Sequence, residues 1–176
     1  ENGFLLGSDS LGRDVASGIV HGAKTSLLIG LIATLVSIFI GIFFGAFSGY
    51  FGGRVDDLLM RVTEIFQTIP SFIFAILLVA IMKPSIFSIV IAIAVVSWPG
   101  VARLVRGEFL SLKNREFVQA CHTIGMSDLR VMLREILPNC LSPIIVIGSL
   151  MVATAILIES GLAFLGLGDP NIMSWG

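Results

Sequence analysis

"TSLLIGLIATLVSIFIGIFFGAFSGYFGG", Thr25–Gly53, contains no charged residue and decides the class of this protein. A helix rising about 1.5 Å per residue needs about 20 apolar residues to cross the roughly 30 Å hydrocarbon layer of a bilayer. This run has length to spare. Inside it Ala33, Ser37, Gly41, Gly45 and Gly49 recur every four residues, which places a stripe of small side chains on one helical face. In lipid, where no hydrophobic effect drives helices together, such stripes let backbones approach closely and pack. The pattern predicts tight packing against a neighbouring helix. A face lining a substrate path is the sharper, second reading.

Three further charge-free runs follow: Ile65–Met82, Pro84–Ala102 and Ile136–Ile158. The predicted spans are residues 26–51, 65–82, 84–102 and 137–159 of a single partial transmembrane domain, with a polar loop over 103–136. The fold class is all-α, a polytopic membrane helical bundle. Composition agrees, with 56% apolar and 13% charged residues among 176 and a mean hydropathy of +1.00. Soluble domains carry about 25% charged residues. A net charge of −1 argues against a nucleic-acid partner. Cys121 and Cys140 are too few and too unpatterned for a disulfide scaffold or metal site. The chain opens on Glu1 and shows no signal peptide, so it reads as a piece of something longer.

Orientation follows from Lys and Arg. Arg54, Arg61, Arg103, Arg106, Lys113, Arg115, Arg130 and Arg134 fall on one side, and Arg13, Lys24 and Lys83 on the other. The richer side is expected to be cytoplasmic, with the N-terminal segment and Phe164–Gly176 outside. "KPS" (Lys83–Ser85) is a tight outer turn. "GGRVDD" (Gly52–Asp57) opens an inner connection that continues as a helix with Arg61 and Glu64 on one face. Pro70 marks a bend or entry point, and Pro99-Gly100 a second kink.

Groups that carry chemistry are sparse. The predicted spans hold almost no ionisable groups, with only Glu159 at the outer end of the fourth, so nothing resembles the buried carboxylates and histidines of a proton relay. "HGAKTS" (His21–Ser26) fails the spacing of a phosphate-binding loop, and Lys24 reads as an interfacial anchor. HExxH and G-x-S-x-G motifs are absent. The chain is therefore not expected to be an enzyme or to need a cofactor, and any uphill transport must draw its energy from another subunit.

The polar loop contains "FVQACHTIGMSDLRVMLREILPN", Phe117–Asn139. Phe117, Ala120, Cys121 and Ile124 share one helical face, with Lys113, Arg115, Glu116, Gln119 and His122 opposite. Gly125 stands where a glycine ends a helix. Ser127 is placed to cap a second helix, with Asp128 in its first turn, and Leu129, Met132, Leu133, Ile136 and Leu137 repeat the apolar spacing before Pro138. Helices this short are marginal alone in water. The apolar face must lie on the chain's own spans or in a groove of a soluble partner, and periodicity leaves both open.

The loop resembles the pattern E-A-A, three residues, G, nine residues, I-x-L-P of ATP-binding cassette (ABC) importer permeases. Gln119-Ala120-Cys121, Gly125 and Leu137-Pro138 occupy its positions, with Gln119 for the glutamate, Cys121 for the second alanine and Glu135 for the isoleucine. "LGSDSLGRDVASGIVHGAKTSLLIG" (Leu6–Gly30), "GYFGGRVDDLLMRV" (Gly49–Val62), "SWPGVARLVRGEFLSLKNREFVQA" (Ser97–Ala120), "SDLRVMLREILPN" (Ser127–Asn139) and "FLGLGDPNIMSWG" (Phe164–Gly176) are similar to the dipeptide/oligopeptide/nickel branch of that family. The resemblance implies four of six spans, numbers two to five, in a bacterial or archaeal cytoplasmic (inner) membrane. It implies a second homologous permease, two cytoplasmic ATP-binding subunits and an extracytoplasmic solute-binding protein as partners. The loop over 112–138, with Phe117, Gln119, Ala120, Cys121, Gly125, Leu137 and Pro138, would be the coupling helix that enters a cleft of one ATPase. Gln119 keeps hydrogen bonding there but excludes a salt bridge. Peptides are the implied substrate, nickel or another small solute the runner-up. A passive channel or membrane scaffold is the alternative from another class, and no substrate-binding residue is identified.

Other residues read more plainly. Arg103 and Arg106 suit lipid anchoring at a span end, with ATPase contact as the second reading. Asp56 and Asp57 cap or solvate the inner connection. Trp98 and Trp175 suit interfacial positions. Asp9, Arg13 and Asp14 form a charged outer cluster, an internal salt bridge before a contact with a binding protein. Glu159 lines an outer cavity or sits at headgroup level.

Overall fold

The computed structural model describes residues 7–8, 12, 14–170 and 174–175. Asp9 and Arg13 of the expected outer cluster lie outside these. Asp14 instead starts the first helix, α1 (Val15–Phe51), its Oδ1 accepting the Ala16 N–H at 3.1 Å. A carboxylate at a helix N-terminus satisfies a free donor and opposes the dipole. α1 therefore begins well before Thr25, and Lys24 is an exposed residue within it rather than at its mouth.

The second predicted span, 65–82, is divided. α2 (Gly53–Gln67) ends before Pro70, and α3 (Ser71–Met82) leaves at 80° to it. Proline cannot donate to a preceding turn, and it pushes the residue before it out of the helical region. Ile65, Phe66 and Gln67 thus belong to the inner connection. α2 carries exposed Val55, Leu58 and Ile65 together with Asp57, Arg61 and Glu64, an amphipathic composition that suits a helix lying along the membrane surface, outside the spanning segments. α3 alone is about 18 Å long.

Lys83 takes φ 70° in the turn to α4 (Ile86–Leu112), whose start is capped by Ser85. α4 runs unbroken through Pro99 and ends at Leu112, so the polar loop begins only at Lys113 and not at 103. No charge pattern or glycine stops the helix where the charge-free run ends, and Arg103 and Arg106 simply ride on its extension. Beyond it come α5 (Glu116–Thr123), a helical turn α6 (Asp128–Arg130), a π-helical stretch Val131–Ile136, the turn α7 (Leu137–Asn139) and α8 (Leu141–Leu162). The π-helical stretch precedes Pro138, which has no N–H to offer the Arg134 carbonyl and whose ring would crowd it. By length and composition α1, α4 and α8, the last with its extension to Leu167, can each cross a membrane, and the bent α2–α3 pair raises the number to as many as four.

α1 is the spine. Its small residues face inward while Leu35, Phe39 and Phe43 are exposed, Phe39 at 77%. Large apolar side chains outside and glycines inside invert a soluble core and match a lipid surround. α4 runs parallel to α1. A Cβ on Gly41 would meet Val101 Cβ at 2.5 Å, one on Gly45 the Ala102 carbonyl oxygen at 2.4 Å, and one on Gly49 the Arg106 carbonyl oxygen at 2.7 Å. Ser37 Oγ donates to the Ala33 and Ala94 carbonyls, and Ala33 is fully buried. α8 runs antiparallel, with Gly30 against Val152 and Ile156 and Gly148 against Ile38. Ser37, Gly41, Gly45 and Gly49 thus lie against α4.

Among the described residues two buried clusters result. One, around Ile29, Val79, Ile89, Ile93 and Leu162, joins α1, α3, α4 and α8. The other, around Val105, Phe109, Val118, Val131 and Ile136, lies at the end of the bundle rich in Arg and Lys, called here the basic end. Trp98 is buried between Phe44 and Phe66, with ring centroids 4.6 and 5.3 Å away, so it is not an interfacial residue. Its indole instead fixes α2 to α1 and α4. Glu159 is only 1% exposed and accepts from Ser26 Oγ at 3.1 Å. Ser26 Oγ in turn accepts the Trp175 N–H, and the Trp175 indole N–H donates to the Ile19 carbonyl.

Candidate functional site

The basic end presents one projecting element, α5. Phe117, Ala120 and Ile124 form an exposed strip along it, Ile124 at 77%. Val118, 1% exposed, and half-buried Cys121 pack into the cluster of Phe109, Val131 and Ile136. The expected face of Phe117, Ala120, Cys121 and Ile124 is therefore split, with Cys121 turned inward beside Val118. Of the two possibilities that periodicity left open, packing on the chain's own helices accounts for Val118 and Cys121, while Phe117, Ala120 and Ile124 stay exposed.

α5 ends in a Schellman turn. Gly125 N–H donates to the His122 carbonyl at 3.0 Å and Met126 N–H to the Cys121 carbonyl at 3.1 Å. Gly125 takes φ 81°, a left-handed conformation that costs glycine nothing. Met126 and Cys121 then meet in the same apolar cluster. Gln119 is exposed and its amide donates to the Asn114 carbonyl, which ties the start of the loop to the middle of α5. Ser127 holds the N-cap position of the next helix by backbone, but its side chain makes no capping bond. Leu137 is half-buried against the cluster and Pro138 is exposed at the root of α8, so these two belong to a different element from the α5 strip.

Both flanks of α5 are tied to the last turn of α1. Ahead of α5, Lys113 Nζ donates to the Gly49 carbonyl at 3.0 Å and the Tyr50 carbonyl at 3.4 Å. A cation on a helix's free carbonyls satisfies them and complements the dipole. Behind α5, Tyr50 Oη donates to Asp128 Oδ1 at 2.7 Å and lies 3.3 Å from His122 Nε2. None of these long-range ties leaves a trace in local periodicity.

A second polar link joins α2 to α4. Arg106 Nε and Nη2 each donate to Asp56 at 2.6 Å, and Ser48 Oγ donates to the same carboxylate. Arg106 is thus engaged internally rather than free for lipid phosphate, and Asp56 pairs rather than caps. The hydrogen bonds from Arg106 hold the Asp56 carboxyl below its ordinary value. Beside this pair lies a cleft of about 510 Å³ with Asp57, Arg61, Glu64 and Arg103 at its walls. Among the described residues no cluster of His, Cys, Asp and Glu is arranged to hold a metal ion.

Residues 37–174 match the family of binding-protein-dependent transport system inner membrane components. The chain is 48% identical over 177 residues to the oligopeptide transport system permease protein OppC of Escherichia coli K12, covering 100% of this chain and 59% of that protein. It is 43% identical over 174 residues to the di/tripeptide transport system permease protein DppC of Pseudomonas aeruginosa, covering 98% and 57%. The chain thus spans less than two thirds of the length of these curated relatives. Its fold resembles that of the methionine ABC transporter MetNI in an inward-facing conformation, with a TM-score of 0.73 at 16% identity over 88% of this chain and 77% of that one.

Proposed function

The chain belongs to the binding-protein-dependent transport system inner membrane component family, and from that membership we propose that it forms part of a peptide-importing ABC permease. In this reading it supplies half of a translocation path beside a second homologous permease. The basic end faces the cytoplasm, where two separate ATP-binding subunits hydrolyse ATP, and a solute-binding protein delivers peptide from outside. The substrate rests on the relatives, whose names specify oligopeptide and di/tripeptide transport.

The observation that carries the coupling role is the exposed strip of Phe117, Ala120 and Ile124 on a helix whose other side is already anchored. An apolar strip at three- and four-residue spacing on a short helix suits a groove on a soluble partner. Gly125 ends the helix so that the strip stands at the tip. Gln119, in place of the glutamate of the resemblance, holds the loop by a neutral hydrogen bond to Asn114.

The test uses the full-length permease co-expressed with its ATPases and carrying Thr123→Cys, Cys121→Ser and Cys140→Ser. Thr123 is exposed on α5 next to the strip. Crosslinking to single-cysteine ATPases whose yield changes with ATP is expected. Absence of any crosslink, with Thr123→Cys equally reactive whether or not the ATPases are present, refutes the coupling role.

A further inference from the structure

The geometry points to α1, rather than only the covalent neighbours α4 and α8, as the span that α5 drives, through a bracket of Lys113, Tyr50, His122 and Asp128. This rests on the coupling role of α5 proposed above.

A push on α5 can reach the membrane along the chain itself, through Lys113–Arg115 into α4 and through the turn after Gly125 into the π-helical stretch. Both routes interrupt the regular α-helix. The first passes through a non-helical turn, and the second through a glycine turn and widened helix. The bracket is shorter. Lys113 stands just before α5 and Asp128 just after it, and both fasten to Gly49 and Tyr50 in the last turn of α1. His122, on α5 itself, faces the same tyrosine hydroxyl. Beneath them Val118 packs in a cluster that Tyr50 also adjoins. On α5 itself, His122 faces the Tyr50 hydroxyl and Val118 packs in the cluster that Tyr50 adjoins, while Lys113 and Asp128 pin the segments on either side of α5 to the same end of α1. α1 is also the helix whose glycines lock it to α4 and whose other half packs on α8, so its displacement carries the bundle. Lys113, Tyr50 and Asp128 are positioning residues, since they transmit the load from α5 without themselves lying on its exposed strip.

The assay is the number of ATP molecules hydrolysed per peptide imported, in proteoliposomes holding the complete transporter and its binding protein. Tyr50→Phe removes the hydroxyl but keeps the ring. Asp128→Ala removes the acceptor, and Asp128→Asn returns an oxygen that can accept from Tyr50. Tyr50→Phe and Asp128→Ala are each expected to raise the ratio by roughly fivefold, the scale of one lost hydrogen bond, and Asp128→Asn to restore it. Crosslinking from Thr123→Cys to the ATPase is expected to persist in all three. An unchanged ratio in Tyr50→Phe and Asp128→Ala overturns the bracket while the persisting crosslink preserves the docking role. Complexes that fail to assemble in both variants overturn it as well, because the ties would then serve folding alone. A missing crosslink in the parent overturns the docking role instead.

Discussion

Adding one methyl group at Gly45 should loosen the bundle more than a methyl anywhere else on the glycine stripe. The Cβ of Gly45→Ala would lie 2.4 Å from the Ala102 carbonyl oxygen and 2.7 Å from Val105 Cβ, where ordinary contact begins at 3.4 Å. The shortfall is 3.4 − 2.4 = 1.0 Å. The obstructing atom is backbone, so no rotamer change relieves it and α1 must move away from α4. A gap of 0.5–1 Å forfeits about a quarter to a half of each dispersion contact it opens. Overpacking costs about 1–3 kcal/mol, and a backbone obstacle puts this site near the upper end. The better helix propensity of alanine returns about 1 kcal/mol. The net loss is about 2 kcal/mol, or roughly 4–8 °C in melting temperature for a chain of this size. Cys140 is fully buried and reports unfolding through a thiol-reactive fluorophore in a Cys121→Ser background in detergent. Gly107→Ala is the control, since nothing lies within 4 Å of its added Cβ, and it should melt at or slightly above the parent. If Gly45→Ala melts no lower than Gly107→Ala, α1 and α4 are not in the close contact described here.

Two further outcomes follow from the basic end. Val118→Asp puts a carboxylate into the cluster that anchors α5 and should lower the melting temperature by about 5 °C or more, while Ile124→Asp should leave it unchanged and abolish ATPase pull-down instead. Equal effects of the two on stability would remove the distinction between the inner and outer sides of α5. In a double-mutant cycle, Asp56→Ala and Arg106→Ala should couple by about 1 kcal/mol, a value discounted because the Arg106 side chain is 35% exposed. The Asp56 carboxyl is held below its ordinary value of 3.8 in the folded chain. Its stabilising contribution is therefore fully present above that value and is lost as pH falls through the lower folded one. A cycle measured in acid should show the coupling shrink, and coupling that grows in acid would reverse the assignment.

What the sequence shows of this fold is what repeats locally. Charge-free runs locate the helices of the bundle because the bilayer demands about 20 apolar residues at a stretch. The stripe from Ala33 to Gly49 reveals an inward face because only small residues tolerate backbone 2.4–2.7 Å from an added Cβ. Pro70 and Gly125 act through their own backbone restrictions and are readable as single letters. Helix ends are less legible. α1 starts early because Asp14 happens to cap it, and α4 continues past the charge-free run because nothing in Arg103–Leu112 breaks a helix. Pairings between distant residues are not legible at all. Asp56 and Arg106, Tyr50 and Asp128, or Ser26 and Glu159 meet only after the helices have packed. Read singly, Asp56, Arg106, Asp128 and Glu159 suit solvent, a cap, a helix's first turn or the headgroup layer, where an isolated polar residue is expected.

The misread face of α5 has the same origin and bears on function. A window over Phe117–Ile124 contains two overlapping apolar sets, Phe117–Ala120–Ile124 and Val118–Cys121, because an eight-residue helix makes barely two turns and nothing within it ranks one set over the other. What ranks them is the following segment. The Schellman turn at Gly125 and the wide turn before Pro138 bring Val131, Met132 and Ile136 to the inner set, while Leu129 and Leu133, which α-helical spacing would also bury, remain exposed. Val118 and Cys121 thus pack with residues of the widened turn, while Phe117, Ala120 and Ile124 stay exposed. Shortening that turn, by Pro138→Ala to restore the missing N–H, should draw the strip inward and weaken pull-down of the ATPases without touching any residue on α5.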